Sequence, residues 1–272
     1  GSHGDACQGA DRAAWRRANI DRLIEHLYHE VHALKPWVRV GISPFGLPRP
    51  ANRPPGITGF SQYDALHADV ERWTAEGWLD YLAPQLYWAR SQTAQAFDVL
   101  LDTWRGLNPR SRHLWPGLFT SRIGAERNPY DAAEVLAQVL RSREGAAAGA
   151  AGHLHFSLVA LAANRDGVAE RLRQGPYAEA TLPPATPWLA EPEPQAPRLD
   201  RRADGWWPLQ GPGAPLRTAV LWQRTGAHWR WQALPLPATR PFERAADAQA
   251  SLLVGLGRTG LESTPVRVES HP

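Results

Sequence analysis

Eight residues of this chain have the types and the places to do chemistry together. They are Ser43, Phe45, Gln85, Tyr87, Trp88, Thr120, His155 and Ser157. Each falls at or just beyond the end of an apolar run. The runs are Val38–Phe45, Leu79–Trp88, His113–Thr120 and Gly152–Leu158, recurring about every 35–40 residues with amphipathic segments between. Amides, hydroxyls and flat rings suit a sugar: Gln85 can hydrogen-bond a hydroxyl, and Tyr87 or Trp88 can stack on a pyranose face. Ordinary packing explains part of the set equally well. Alternation along the strand sends Tyr87 toward a core, Ser43 caps a strand that Pro44 stops, and His155 satisfies a neighbour. No carboxylate stands at these ends, so the catalytic residues are not identified.

The acids nearest the runs are badly placed for catalysis. Asp80 lies at the entry end of its strand, Glu71 and Glu76 on one helix, Asp98 and Asp102 on the next. Asp166 follows the last run and is the one acid that position does not dismiss, with capping of the last helix as the alternative. Ser43 and Ser157 lie in no nucleophile-elbow sequence. There is no His-x-x-x-His or Cys/His cluster and no glycine-rich phosphate loop, so no metal and no cofactor are expected. His26, His29 and His32 are expected as a solvated helix flank.

Strands alternating with helical stretches predict parallel β/α units, whose reactive groups gather at the carboxyl ends of the strands. Helical periodicity predicts a first helix with the stripe Ile20, Leu23, Ile24, Leu27, Val31 and Leu34, ended by Pro36. Arg16, Arg17, Asp21, Arg22, Glu25 and His29 are expected mostly off that stripe. A second helix opens at the capping pair Ser61/Asp64, carries Leu66, Val70 and Trp73, and closes at Gly77. A third carries Phe97, Leu100, Leu101 and Trp104. A fourth begins near Asn128-Pro129, and a short last one lies around Val168–Leu172. Proline clusters between Leu182 and Pro197 predict a stiff linker. Short alternating runs follow: Leu216–Arg224, His228–Leu234, Ser251–Leu256 and Val266–Glu269. They predict a small all-β domain of fibronectin type III kind. The expected division is therefore 1–189 and 190–272.

Composition narrows the classes. Hydrophobic residues make up 43% and charged residues 21%, which is ordinary for a globular protein. The net charge of +3 is too small to argue for nucleic acid. Cys7 is alone, so no intrachain disulfide is possible. No run is long enough to span a membrane. The chain has 13 Trp and no Met. The absence of Met predicts a processed or cut piece of a longer protein. Trp206, Trp207, Trp222, Trp229 and Trp231 exceed the core needs of a small sandwich. Core and interface packing come first for them, and exposure toward sugar or a partner second.

Four β/α units cannot close a barrel, which needs about eight. An open sheet of four would leave apolar edges at the first and last strands. The expectation is the C-terminal half of a (β/α)8 TIM-type barrel, completed by an upstream half. Pairing of two copies and a complete smaller α/β fold are the alternatives.

Long motifs in order carry a resemblance. They are Trp15-Arg-Arg-Ala-Asn-Ile20, Lys35-Pro-Trp-Val-Arg-Val-Gly-Ile-Ser-Pro-Phe-Gly46, Glu76-Gly-Trp-Leu-Asp-Tyr-Leu-Ala-Pro-Gln-Leu-Tyr-Trp88, His113-Leu-Trp-Pro-Gly117 and His153-Leu-His-Phe-Ser157. From about Asp11 to Trp188 the chain resembles glycosyl hydrolase-like family 10, bacterial envelope proteins that include a hydrolase of peptidoglycan glycan strands. Gly175-Pro-Tyr177 and Pro187-Trp-Leu189 look like the end of the family barrel. The resemblance implies a (β/α)8 barrel in an exported or lipid-anchored protein of the periplasm or cell envelope. It also implies a Phe-Asp-Asp-Tyr-like segment on the family's fourth strand, which this chain lacks. The implied parent is a glycoside hydrolase acting on peptidoglycan-like glycan, with its carboxylates upstream and this piece inactive alone. The alternative is a non-catalytic carbohydrate-binding or scaffold module.

Overall fold

The computed structural model describes residues 12–144 and 152–269; Cys7 and Asp11 lie outside them. The chain forms two compact units. One holds helix α1 and Arg39–Leu182, the other Lys35–Val38 and the chain from Pro183 onward. Among the described residues no helix is long and apolar enough to cross a membrane.

The first unit is a mixed α/β structure built on short parallel strands. β1 (Gly41–Ile42), β2 (Tyr81–Leu82) and β3 (His113–Leu114) are hydrogen-bonded in that order. All their pairings are parallel. β4 (Gly117–Leu118) continues the third run and pairs in parallel with β5 (Leu154–His155). Parallel bridges Phe45–Gln85 and Gln85–Gly117 carry the ladder past the strand ends. The four apolar runs are thus neighbours in chain order, although each regular strand is only two residues long.

The helices cover this sheet unevenly. α4 (Phe97–Gly106) buries all four of its stripe residues, Phe97, Leu100, Leu101 and Trp104. α5 (Ala132–Arg143) starts at the Asp131 cap, whose side chain accepts from Glu134 N, a few residues after the expected start. The expected second helix is two. α2 (Gln62–Ala65) is capped by Ser61 and ends at Leu66, while α3 (Val70–Glu76) restarts at the Asp69 cap and stops at left-handed Gly77. Asp69 bonds Arg72 N at 3.3 Å, so its side chain opens a new helix where periodicity alone continued the old one. α6 (Leu158–Ala162) was not expected, and α7 (Val168–Gln174) closes the unit.

Helix α1 (Arg12–Leu34) departs most from its pattern. Its one buried residue is Asp21. Leu23, Leu27 and Leu34 of the expected core stripe are exposed, Leu23 at 59%. Asp21 is buried because it accepts from Trp73 Nε1 at 2.6 Å and Arg72 Nη1 at 3.0 Å. Burial raises its pKa, opposed mainly by these two partners. His32 is not on a solvated flank. Its Nε2 lies 3.2 Å from Asp80 Oδ2, and its Nδ1 2.9 Å from Tyr28 O.

The second unit is all-β. β8 (Thr218–Thr225), β9 (His228–Pro235), β10 (Ala250–Leu256) and β11 (Val266–Arg267) form an antiparallel sheet in the order β11-β10-β8-β9. Ala219, Leu221, Leu234, Phe242 and Leu253 fill its core. A hairpin of β6 (Arg198–Arg202) and β7 (Gly205–Leu209), absent from the sequence reading, adds Leu199 and Trp206 to that core. The proline-rich stretch is not a free spacer. Thr186 is fully buried and bonds Thr259 O through N and Oγ1, both at 2.9 Å. Glu191 accepts from the amides of Arg258 and Thr259 at 2.6 and 2.8 Å.

Candidate glycan site at the strand ends

The polar candidates meet in pairs across neighbouring strands. Gln85 Nε2 donates to Ser43 O at 3.2 Å and stands 3.5 Å from Ser43 Oγ. Thr120, fully buried, lies with its Oγ1 2.7 Å from His155 Nδ1. Ser157 Oγ is 3.0 Å from Ser121 Oγ, which also accepts from Ser157 N at 2.9 Å. Adjacent parallel runs of equal reach bring these ends together.

Rings line the same ends in two groups. Phe45 meets Phe60 edge-on at 5.1 Å and Trp88 edge-on at 5.6 Å. Tyr87 stacks on Phe156 at 5.2 Å and lies 5.0 Å from Phe119. Phe60 and Phe156 are exposed, the latter at 50%, whereas Trp88 packs partly into the core. Burial raises the pKa of Tyr87. Phe60, Phe119 and Phe156 escaped the residue-by-residue reading. Phe119 and Phe156 each sit beside a polar candidate inside a quoted run, so the neighbours of Thr120 and His155 were the available signal.

The backbone under these rings is fixed by buried polar contacts. Gln62, 3% exposed, accepts from Phe45 N at 2.9 Å and donates to Phe45 O and Leu47 O at 3.1 and 3.2 Å. Trp104 Nε1 donates to Gly46 O at 2.8 Å. A side chain at position 46 would meet Gln85 O at 2.3 Å and the Trp88 ring at 2.7 Å, so glycine is required there by close approach. A cavity of about 350 Å³ opens beside them, with Ser43, Phe45, Phe60, Gln62 and Gln85 on its wall. Among the described residues no carboxylate lines it.

His155 belongs to a longer array. Tyr177 Oη lies 2.7 Å from His155 Nε2 and also bonds His153 Nε2. Burial, the neighbouring His155 and Arg143 depress the His153 pKa to about 3, and burial lowers that of His155. Burial raises Tyr177 to about 12 against the pull of Arg143. Both imidazoles are therefore neutral at pH 7.

Depression of a histidine pKa has a fixed sign in stability. Below about 6.5 the unfolded chain takes up a proton that folded His153 refuses until about 3. The contribution is fully present above the unfolded pKa and is lost as pH falls. We expect wild-type stability to drop between pH 6.5 and 4 with a slope of up to ~1.4 kcal/mol per pH unit from this group. Urea denaturation across that range checks it against His153→Gln, which should flatten the slope. An unchanged slope would sink the assignment.

Asp166, the acid that position had left open, is committed elsewhere. Its Oδ2 accepts from Ala132 N at 2.7 Å and its Oδ1 lies 3.6 Å from Arg171 Nη2. It secures the first turn of α5 rather than capping the last helix.

The first unit is thus a mixed α/β structure with parallel strands and rings at their ends, and residues 3–133 match the glycosyl hydrolase-like 10 family. The chain is 36% identical over 194 residues to glycosyl hydrolase YngK of Bacillus subtilis, covering 69% of this chain and 38% of that protein. It is 37% identical over 119 residues to glycosyl hydrolase DigH of Escherichia coli, covering 42% of this chain and 27% of that protein. The matched stretches thus span between about a quarter and two fifths of these relatives.

Proposed function

We propose that the first unit is one wall of a glycan-binding cleft in a glycoside hydrolase of the bacterial cell envelope, with a peptidoglycan-like strand as substrate. The observation that carries this reading is the joining of exposed rings to cross-strand polar pairs at the carboxyl ends of four parallel runs. Stacking rings and orienting amides or hydroxyls are what a sugar requires. The family match supports the hydrolase class.

The same reading makes the first unit the C-terminal half of a (β/α)8 barrel, and the second a fibronectin type III-like module. Leu154, Leu158 and Val159 are exposed on the β5 side and Leu23 and Leu27 on α1. An upstream half-barrel would cover both seams, and it would bring the two carboxyl groups that glycosidases place about 5–9.5 Å apart. The parent would then be exported to the periplasm or held there by a lipid anchor. A cavity wall without a carboxylate also suits a non-catalytic glycan-binding module, the second reading.

The test uses denuded glycan strands and this chain. Calorimetry should show binding, and chromatography should show no sugar release. Phe156→Ala should weaken binding by about 0.5–1.5 kcal/mol while the melting temperature holds. Phe156 is a cleaner probe than Trp88, whose ring packs into the core. Unchanged binding by Phe156→Ala would overturn the site, and sugar release abolished by Asp166→Asn would overturn the missing-carboxylate argument.

A further inference from the structure

The all-β unit carries a groove that the strand-end site does not use. It measures about 730 Å³ and is lined by Arg224, Trp229, Arg244, Gln249, Arg267 and Glu269, among others. That volume accommodates one or two sugar rings. Register explains the arrangement. Arg224 faces Trp229 across β8 and β9, and Arg267 faces Leu252 across β10 and β11. Trp222 pairs with both Leu252 and Trp231, so these side chains share one face of the sheet. The opposite face carries the core residues Ala219, Leu221 and Leu253.

The arginines here are not neutralised by carboxylates. Among the described residues none of Arg224, Arg244 and Arg267 joins an ion pair. One Arg244 Nη donates to Ala248 O, but its Nε is buried without a partner. Trp229 is 42% exposed, with the Arg224 guanidinium 5.9 Å from its ring centre. Three guanidiniums therefore share the groove with an exposed indole and one carboxylate, Glu269.

We propose that this groove binds a carboxylate-bearing sugar. The Trp229 face stacks on the C–H face of the ring, and Arg224, Arg244 and Arg267 supply planar forks that match a carboxylate. The proposal rests on the glycan reading above for its class of polymer and on its own residues for its site. It makes the all-β unit a second point of attachment that distinguishes acidic from neutral glycan.

The experiment titrates the 272-residue chain with two oligosaccharides of equal length, followed by calorimetry. One is a denuded strand fragment whose alternate sugars carry a lactyl carboxylate, the other a neutral N-acetylglucosamine oligomer. The carboxylated ligand should bind about tenfold more tightly at low salt. Arg224→Gln with Arg267→Gln should bring it to the neutral level, Trp229→Ala should weaken both ligands, and circular dichroism melts should stay at the wild-type value. Phe156→Ala should leave the charge preference intact. Equal binding of the two ligands, a preference that survives the double arginine variant, or a single-stranded oligonucleotide bound as tightly would each overturn the proposal. A preference that follows Phe156 instead of Trp229 would overturn it while leaving the strand-end reading standing.

Discussion

Asp80→Ala should destabilise the first unit by about 3–5 kcal/mol. Asp80 is fully buried at the entry end of β2. Its Oδ2 accepts from Val40 N at 2.7 Å and its Oδ1 from Tyr28 Oη at 3.0 Å, with His32 Nε2 3.2 Å away. Truncation leaves partly buried donors from helix α1 and from the chain leading into β1 without their acceptor. Its proximity and burial push Tyr28 up to about 12, with burial the larger cause. Urea denaturation followed by tryptophan fluorescence measures the loss. Asp80→Asn should recover part of it, because an amide oxygen still accepts one bond while its NH2 faces a donor. A loss under about 1 kcal/mol would mean that α1 is held by other contacts.

Trp104→Ala should cost a similar ~3–5 kcal/mol and should also weaken glycan binding. The ring is fully buried in the core between α4 and the sheet. Its indole N–H holds Gly46 O, at the turn that presents Phe45 and leaves room for Trp88. Trp104→Phe separates the two roles. It keeps most of the apolar volume and leaves Gly46 O without its donor, a loss of about 1–3 kcal/mol. Calorimetry on Trp104→Phe should show weaker binding of denuded glycan at a temperature where the variant is still folded. Full affinity there would mean that the turn at Gly46 does not set the ring positions.

Helix α4 was legible in the sequence because both its period and its burial are complete: Phe97, Leu100, Leu101 and Trp104 all face the core. Helix α1 shows where the same signal runs out. Periodicity finds an apolar stripe, but not whether anything covers it, and Leu23 and Leu27 remain in solvent. Nor does it reveal that Asp21 turns inward, because Arg72 and Trp73 lie some fifty residues away. The strand-end pairs Ser43/Gln85 and Thr120/His155 followed from adjacency of parallel runs. The contact of Tyr177 with His153 and His155 did not, since it depends on the turn after α7. The β6–β7 hairpin hid behind its composition. Arg198-Leu-Asp-Arg-Arg does not alternate cleanly, and Pro208 argues against a strand although it stands opposite Leu199.

One proton decides the order of the array that includes Tyr177. Its hydroxyl carries a single hydrogen and faces two neutral imidazole nitrogens, so it donates to one ring and accepts from the other. The two histidines must therefore hold opposite tautomers. If Tyr177 donates to His153, a buried Nδ1–H of His153 is left with no acceptor, since among the described residues that atom has no partner. If it donates to His155, His153 keeps only a bare lone pair there, the lesser penalty, since orphaned buried donors are the rarer kind. The favoured arrangement runs one way: His153 gives to Tyr177, Tyr177 to His155, and His155 Nδ1–H to Thr120. The hydroxyl proton of Thr120 then points away from His155, so His153, three links back, sets the direction in which a group at the strand ends can donate.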